Sequence, residues 1–182
     1  MTAPRRADAL ENRERIVAAA RAAIAASDEV RLNAIAKDAG VGQGTLYRHF
    51  PTREALLAEV YRGDVDVLVA AAPALLTEHP PSEALALWFE RVADYAQIKR
   101  GVFAAVEAGV WRALSAHSIG PIGDAVSTLL AAGRADGTIR ADVDARDVIL
   151  LIGYLTRLED DEWESRSRHL LAVVLDGLRT PN

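Results

Sequence analysis

Between Gln43 and Arg53 the chain carries a set of residues suited to holding a nucleic acid: Gln43, Gly44, Thr45, Tyr47, Arg48, His49 and Arg53. Gln43 and Arg48 have the donors and acceptors that read adenine or guanine on the major-groove edge. Thr45, Tyr47 and His49 can hydrogen-bond phosphate oxygens, which sets position and orientation without reading sequence. Gly44 removes bulk, so a helix bearing it can lie near base edges. Arg53 adds positive charge beside the amino end of a following helix, which is itself favourable for phosphate.

Such residues need a scaffold, and Leu32 to Phe50 has the spacing of two short helices joined by a turn. Ala36 is small where the second helix must cross the first. Gly40 takes the turn, and Leu46 and Phe50 face back into a three-helix core. Ahead of them, Ile16, Val17, Ala20 and Ile24 recur at helical spacing and predict a first helix from about Glu11 to Ala26, ended by Ser27 and Asp28. Asn33 is expected to cap a helix running to Ala39, with Gly40 supplying the left-handed turn that stops it. A third short helix runs from about Gln43 to Phe50. Pro51 closes it, and Thr52 with Glu54 opens a long fourth helix through Leu68 toward Leu76.

Ala39-Gly40-Val41 followed by Gly44-Thr45-Leu46-Tyr47-Arg48-His49-Phe50-Pro51 resembles the DNA-binding head of the TetR family of transcriptional regulators. The resemblance covers roughly Arg13 to Tyr61. It implies that Gln43, Gly44 and Arg48 lie near bases, and that Thr45, Tyr47, His49 and Arg53 lie near the DNA backbone. Glycines flank Gln43 on both sides, a departure that lowers helix propensity at that point. The remaining two-thirds matches the family only in layout, a helical body ending in two dimerising helices. Within it, Ala132 to Val143 resembles a stretch common in actinobacterial members and reads as a helix end and turn, stopped by Gly137.

A chain of 182 residues has room for a small head and a larger body. Its alanine richness, with only 12 glycines and 7 prolines, points to an all-α fold. The expected division is a DNA-binding domain with an N-terminal arm over residues 1–53 and an effector-binding and dimerisation domain over residues 54–182. The net charge of −5 is unevenly shared. Residues 1–62 hold ten basic against eight acidic side chains, and residues 63–182 hold eleven against eighteen. A mildly basic head can face phosphates while an acidic body faces solvent, because the local field matters more than the total. Arg5 and Arg6 read either as a basic arm reaching DNA or as a solvated tail.

The body reads as further helices over about Glu83 to Lys99, Val102 to Trp111, Pro121 to Asp136, Ala145 to Leu158 and Glu162 to Arg179, after a break at His79 to Ser82. Asp144 with Asp147 resembles a capping box. The last two helices are apolar over more of their circumference than one core needs, which suggests a subunit interface through Ile149, Ile152, Leu155, Leu171, Val174, Leu175 and Leu178; a tightly packed monomer core is the other reading. Trp88, Tyr95, Phe103, Glu107, Trp111, His117 and Tyr154 are candidates to line an effector pocket, or are plain core. The acidic run Glu159-Asp160-Asp161-Glu162 reads as a solvated loop and helix start.

With no cysteine there is no disulfide framework or thiolate metal site, which suits a reducing cytosol. No signal peptide or membrane span is recognisable, so the expected location is the cytoplasm without a membrane partner. The four histidines lack metal-ligand spacing, and no nucleophile elbow, phosphate loop or dinucleotide fingerprint appears, so neither a metal, a cofactor nor an enzymatic role is expected. The sequence thus reads as a repressor that binds a palindromic DNA operator as a homodimer and is released by a small-molecule effector. Activation shares every residue of that reading. The rival is a helical ligand-binding or protein-interaction module without DNA binding.

Overall fold

The computed structural model describes residues 3–26 and 30–181, with side chains from residue 7 onward. The expected end of the first helix at Ser27 and Asp28, and the side chains of Arg5 and Arg6, lie outside the described residues. The fold is all-α. Its elements are α1 (Ala3–Ala25), α2 (Leu32–Asp38), α3 (Gln43–His49), α4 (Arg53–Glu78), α5 (Pro81–Ala105), α6 (Ala108–Ala135), α7 (Ala145–Ile152), a 3-10 turn (Gly153–Arg157) and α8 (Asp160–Leu178). By internal contacts the chain forms two compact units, Met1–Gly63 with Ile98–Leu114 and Asp64–Gln97 with Ser115–Asn182.

In the first unit α1 buries Ile16, Ala20 and Ile24, four residues apart and therefore on one stripe. Helices α2 and α3 pack on α1, and Ile35, Ala36, Leu46 and Phe50 are almost fully buried. Gly101 of α5 is also part of this packing, because a Cβ there would fall inside 3.0 Å of Ile24 Cγ2, so only glycine lets α5 pass α1 this closely. Arg13 holds α1 to α4: its Nη2 lies 2.6 Å from Glu59 Oε1, and its guanidinium covers the Phe50 ring at 4.6 Å from the centroid.

The second unit is centred on Trp88, whose indole Nε1 donates to the carbonyl of Leu68 at 2.9 Å, so this large side chain is buried with its polar atom satisfied. Arg168 of α8 meets Glu90 and Asp94 of α5 at 2.9 and 3.3 Å. Gly137, at φ +79, ends α6 as the sequence predicted. Beyond it an isolated antiparallel bridge joins Ile139 to Arg179. The Asp144 and Asp147 capping box opens α7 as expected, with reciprocal bonds of 3.0 and 2.9 Å. Glu159 and Glu162 form a second capping box, which opens α8 two residues earlier than expected.

Several boundaries differ from expectation. Helix α1 begins at Ala3, where alanine and arginine favour helix but no apolar stripe announces it. Asn33 does not cap α2. Arg31 occupies that position in extended geometry without a side-chain bond, and Asn33 lies inside the first turn. The break expected from His79 to Ser82 is shorter, because Pro81 already begins α5; its missing N–H is no loss in a first helical turn. Helix α5 continues through Gly101 to Ala105, and α6 runs unbroken past Pro121. The expected helices Val102 to Trp111 and Pro121 to Asp136 are therefore redistributed around a single break at Val106 and Glu107. In place of one helix over Ala145 to Leu158, α7 stops at Ile152 and gives way to the 3-10 turn at Gly153.

Candidate nucleic-acid interface

The turn between α2 and α3 is closed by backbone bonds that only a left-handed residue permits. Gly40 sits at φ +64, its N–H donates to Lys37 O at 3.0 Å, and the Val41 N–H reaches back to Ala36 O at 2.9 Å. Gly42 then adopts an extended conformation, and its carbonyl accepts from Leu46 N–H at 3.1 Å to start α3. Helix formation therefore begins at Gln43, between the two glycines. Leu46 and Phe50 point inward and fix the helix's rotation about its own axis.

That rotation decides what faces out. Gln43, Gly44, Tyr47 and Arg48 are exposed, Tyr47 by 46% despite its ring, while Thr45 and His49 are half-buried. A Cβ on Gly44 would meet nothing within 4 Å inside the protein, so packing does not demand glycine there. Arg48 lies back along its own helix, donating from Nε to Gly44 O and from Nη2 to Thr45 Oγ1, both at 3.0 Å. The His49 ring neighbours Phe50, with centroids 6.5 Å apart.

Helix α4 starts where expected, with the Thr52 hydroxyl accepting from Ala55 N–H at 3.1 Å. Arg53, just inside that cap, is half-buried. Its Nη1 donates to the carbonyl of Ala105 at 3.3 Å, and its Nε is buried without a hydrogen-bond partner. Six of the seven residues singled out in the sequence thus lie on or beside the outward side of α3, and the seventh is turned into the protein.

A model for bacterial regulatory proteins of the tetR family matches residues 16–60, and a model for the C-terminal domain of SbtR-like transcriptional regulators matches residues 80–180. A TetR transcriptional regulator from Streptomyces coelicolor superposes with a TM-score of 0.77 at 38% identity, over 93% of this chain and 99% of that one. The chain belongs to the TetR family of transcriptional regulators. A second TetR structure, from Mycobacterium vanbaalenii, gives a TM-score of 0.76 at 34% identity over 96% of this chain and 99% of its own. A helix-turn-helix regulator from Staphylococcus aureus is 39% identical over 66 residues, 35% of this chain and 36% of its own length, so the chain spans about a third of that relative. As a TetR-family regulator the protein carries a helix-turn-helix DNA-binding domain in its N-terminal part.

The residues considered for a TetR-type effector pocket divide between the two units. Trp88 and Tyr95 are buried in the second, where Tyr154 is half-buried and its hydroxyl lies 3.4 Å from Ser167 O. Burial pushes the Tyr154 hydroxyl up to about 12. His117, also in the second unit, is exposed. Phe103, Glu107 and Trp111 belong to the first unit, where the Trp111 ring meets Tyr61 and Phe103 edge-on at 5.4 and 5.3 Å. An open depression between α1 and α2, lined by Ala18, Ala19, Ala22 and Ala23 with Arg15, Asp38 and Ala39, contains none of the seven.

Of the residues considered for dimerisation, Leu155, Leu171, Leu175 and Leu178 are buried within their own unit, and Ile149, Ile152 and Val174 are half-buried. The apolar side chains that α7 and α8 turn outward are Leu150, Leu151 and Val173, exposed by 63%, 49% and 54%. The apolar residues crowd into the continuous runs 148–152 of α7 and 170–175 of α8, so periodicity does not separate the inward from the outward stripe there. No described helix is long and apolar enough to cross a membrane.

Proposed function

We propose that this TetR-family regulator is a cytoplasmic repressor that binds a palindromic operator as a homodimer and is released by a small-molecule effector. The observation that carries the reading is the outward side of α3, where Gln43, Gly44, Tyr47 and Arg48 stand exposed over a fully buried Leu46 and Phe50. In this assignment Gln43, Gly44 and Arg48 approach bases, and Thr45, Tyr47 and His49 hold phosphates. Arg53 joins the phosphate contacts by leaving the Ala105 carbonyl. Residues 1–53 then serve as the DNA-binding part and 54–182 as the effector-binding and dimerising part.

Dimerisation is supported by Leu150, Leu151 and Val173, large apolar side chains left in water on the last two helices. A twofold dimer places two recognition helices about 34 Å apart or slightly more, one turn of DNA, and so prefers a palindrome. An effector acts only through a difference in affinity between two conformers of the body, and tight binding alone releases nothing. The proposed role needs no metal, cofactor or catalytic residue.

Footprinting on DNA from the protein's own promoter region at two salt concentrations tests this reading. A protected palindrome whose affinity falls steeply with salt is the expected result. No protection even at low salt would favour the rival, a helical ligand-binding or protein-interaction module without DNA binding.

A further inference from the structure

Arg48 is held at two points before any DNA arrives. Its Nε–H is taken by Gly44 O and one Nη2–H by Thr45 Oγ1, each at 3.0 Å. A guanidinium has five N–H donors in a rigid plane, so these two bonds set both the path of the side chain and the orientation of its fork. Three donors remain, two on Nη1 and one on Nη2. They form the outer edge of the fork, the kind of paired edge that meets O6 and N7 of a guanine.

Thr45 occupies the middle of this arrangement. Its hydroxyl oxygen accepts from Arg48, which leaves the hydroxyl proton to be donated elsewhere. Thr45 is half-buried, whereas Arg48 is exposed. A hydroxyl that donates to an anion becomes a better acceptor, so a bond from Thr45 to a phosphate oxygen would tighten its hold on Arg48.

We propose that Thr45 is a positioning residue that couples the DNA backbone to base reading: its hydroxyl donates to a phosphate oxygen while accepting from Arg48, so that the backbone fixes the direction from which Arg48 meets a base. The inference rests on the assignment of α3 to the major groove made above. It differs from a plain phosphate contact in one consequence. Removing the hydroxyl changes which base is preferred, and not only how tightly DNA is held.

The test uses duplexes that the wild-type chain selects from a random pool, together with every single-base-pair variant of the selected sequence, titrated by fluorescence anisotropy. Thr45→Val keeps the side chain's shape and branching and removes only the hydroxyl, and Thr45→Ser restores it. Arg48→Ala identifies the base pair that Arg48 reads. Thr45→Val is expected to flatten discrimination at that same base pair by roughly five- to 150-fold, the span of one bidentate base contact. Thr45→Ser should retain the preference, and Thr45→Val combined with Arg48→Ala should lose no more at that position than Arg48→Ala alone. Matching circular dichroism and thermal unfolding of Thr45→Val and wild type show that the fold is kept. A uniform weakening on every duplex with the preference unchanged, or no change at all, overturns the proposal. A wild-type chain that selects no sequence overturns the DNA-reading assignment itself, and the coupling with it.

Discussion

The guanidinium of Arg53, in the first turn of α4, donates through Nη1 to the carbonyl oxygen of Ala105, the last residue of α5, at 3.3 Å. A cation at a helix C-terminus is favourable because the free carbonyls there carry partial negative charge. The bond is long, and Nε beside it is buried without a partner. Arg53 is thus under-bonded where it sits and poised to exchange its carbonyl for a stronger acceptor. Arg53→Ala is expected to cost about 1–2 kcal/mol in urea unfolding. It should also make the slope of log affinity against log salt shallower by about 0.9 if Arg53 takes a phosphate in the complex. A slope left unchanged would confine Arg53 to its role inside the fold.

Gly44 separates stability from function. The space around it is open, so an alanine there meets no clash and gains helix propensity of up to about 1 kcal/mol. Gly44→Ala should therefore raise the unfolding midpoint while weakening operator binding, because the added methyl stands on the side of α3 assigned to base edges. A variant that is more stable and binds DNA as well as wild type would remove Gly44 from the interface.

Leu150 and Val173 offer a test of subunit association that leaves the core alone. Both are more than half exposed, so Leu150→Glu and Val173→Glu should change the stability of the isolated chain by no more than about 0.5 kcal/mol. In sedimentation equilibrium each is expected to shift the chain from dimer toward monomer. Leu171→Ala is the contrasting control: Leu171 is buried, and its truncation should cost about 2–5 kcal/mol through the cavity it leaves. Dimers undisturbed by both glutamates would place the interface elsewhere.

Lys99 of α5 carries a charge where burial opposes it. Its Nζ lies 5.8 Å from the centroid of the Trp111 ring, and desolvation lowers its pKa from the ordinary 10.5. The unfolded chain therefore holds this proton more tightly than the folded one. Stability linked to Lys99 is complete above 10.5 and declines as pH falls through the lowered folded-state value. Lys99→Met should accordingly stabilise the protein at neutral pH, less whatever the cation–π contact contributes, and the gain should shrink as pH is raised toward 10.5. A gain that is independent of pH in urea titrations would trace the effect to packing instead.

The head was legible because each of its features is local. The left-handed Gly40, the inward Leu46 and Phe50 and the Thr52 cap are all set by residues within a few positions of one another. The Asp144 capping box was equally plain, whereas that of Glu159 was hidden inside an acidic run that reads as solvated surface. Helix α6 hid its course because Pro121, a breaker in isolation, is carried through by the helix on either side. Arg53 showed the limit of a charge-based reading: its type and place at a helix start suggested phosphate, but only the fold brings the Ala105 carbonyl to it. Leu151 in α7 and Leu155 in the 3-10 turn lie on one near-continuous apolar run over residues 148–155, so periodicity could not tell them apart, and one is exposed while the other is buried.

The bridge between Ile139 and Arg179 also constrains the order in which the chain acquires structure during synthesis. Arg140 N–H donates to Leu178 O and Thr180 N–H to Thr138 O, both at 3.0 Å, and the Thr180 hydroxyl closes onto Gly137 O at 2.8 Å. None of these bonds can form until residues 178 to 180 have left the ribosome. The first compact unit needs nothing beyond Leu114, so it can consolidate while α8 is still being translated. The bridge between the segment after α6 and the end of α8 is therefore among the last contacts of the chain to form.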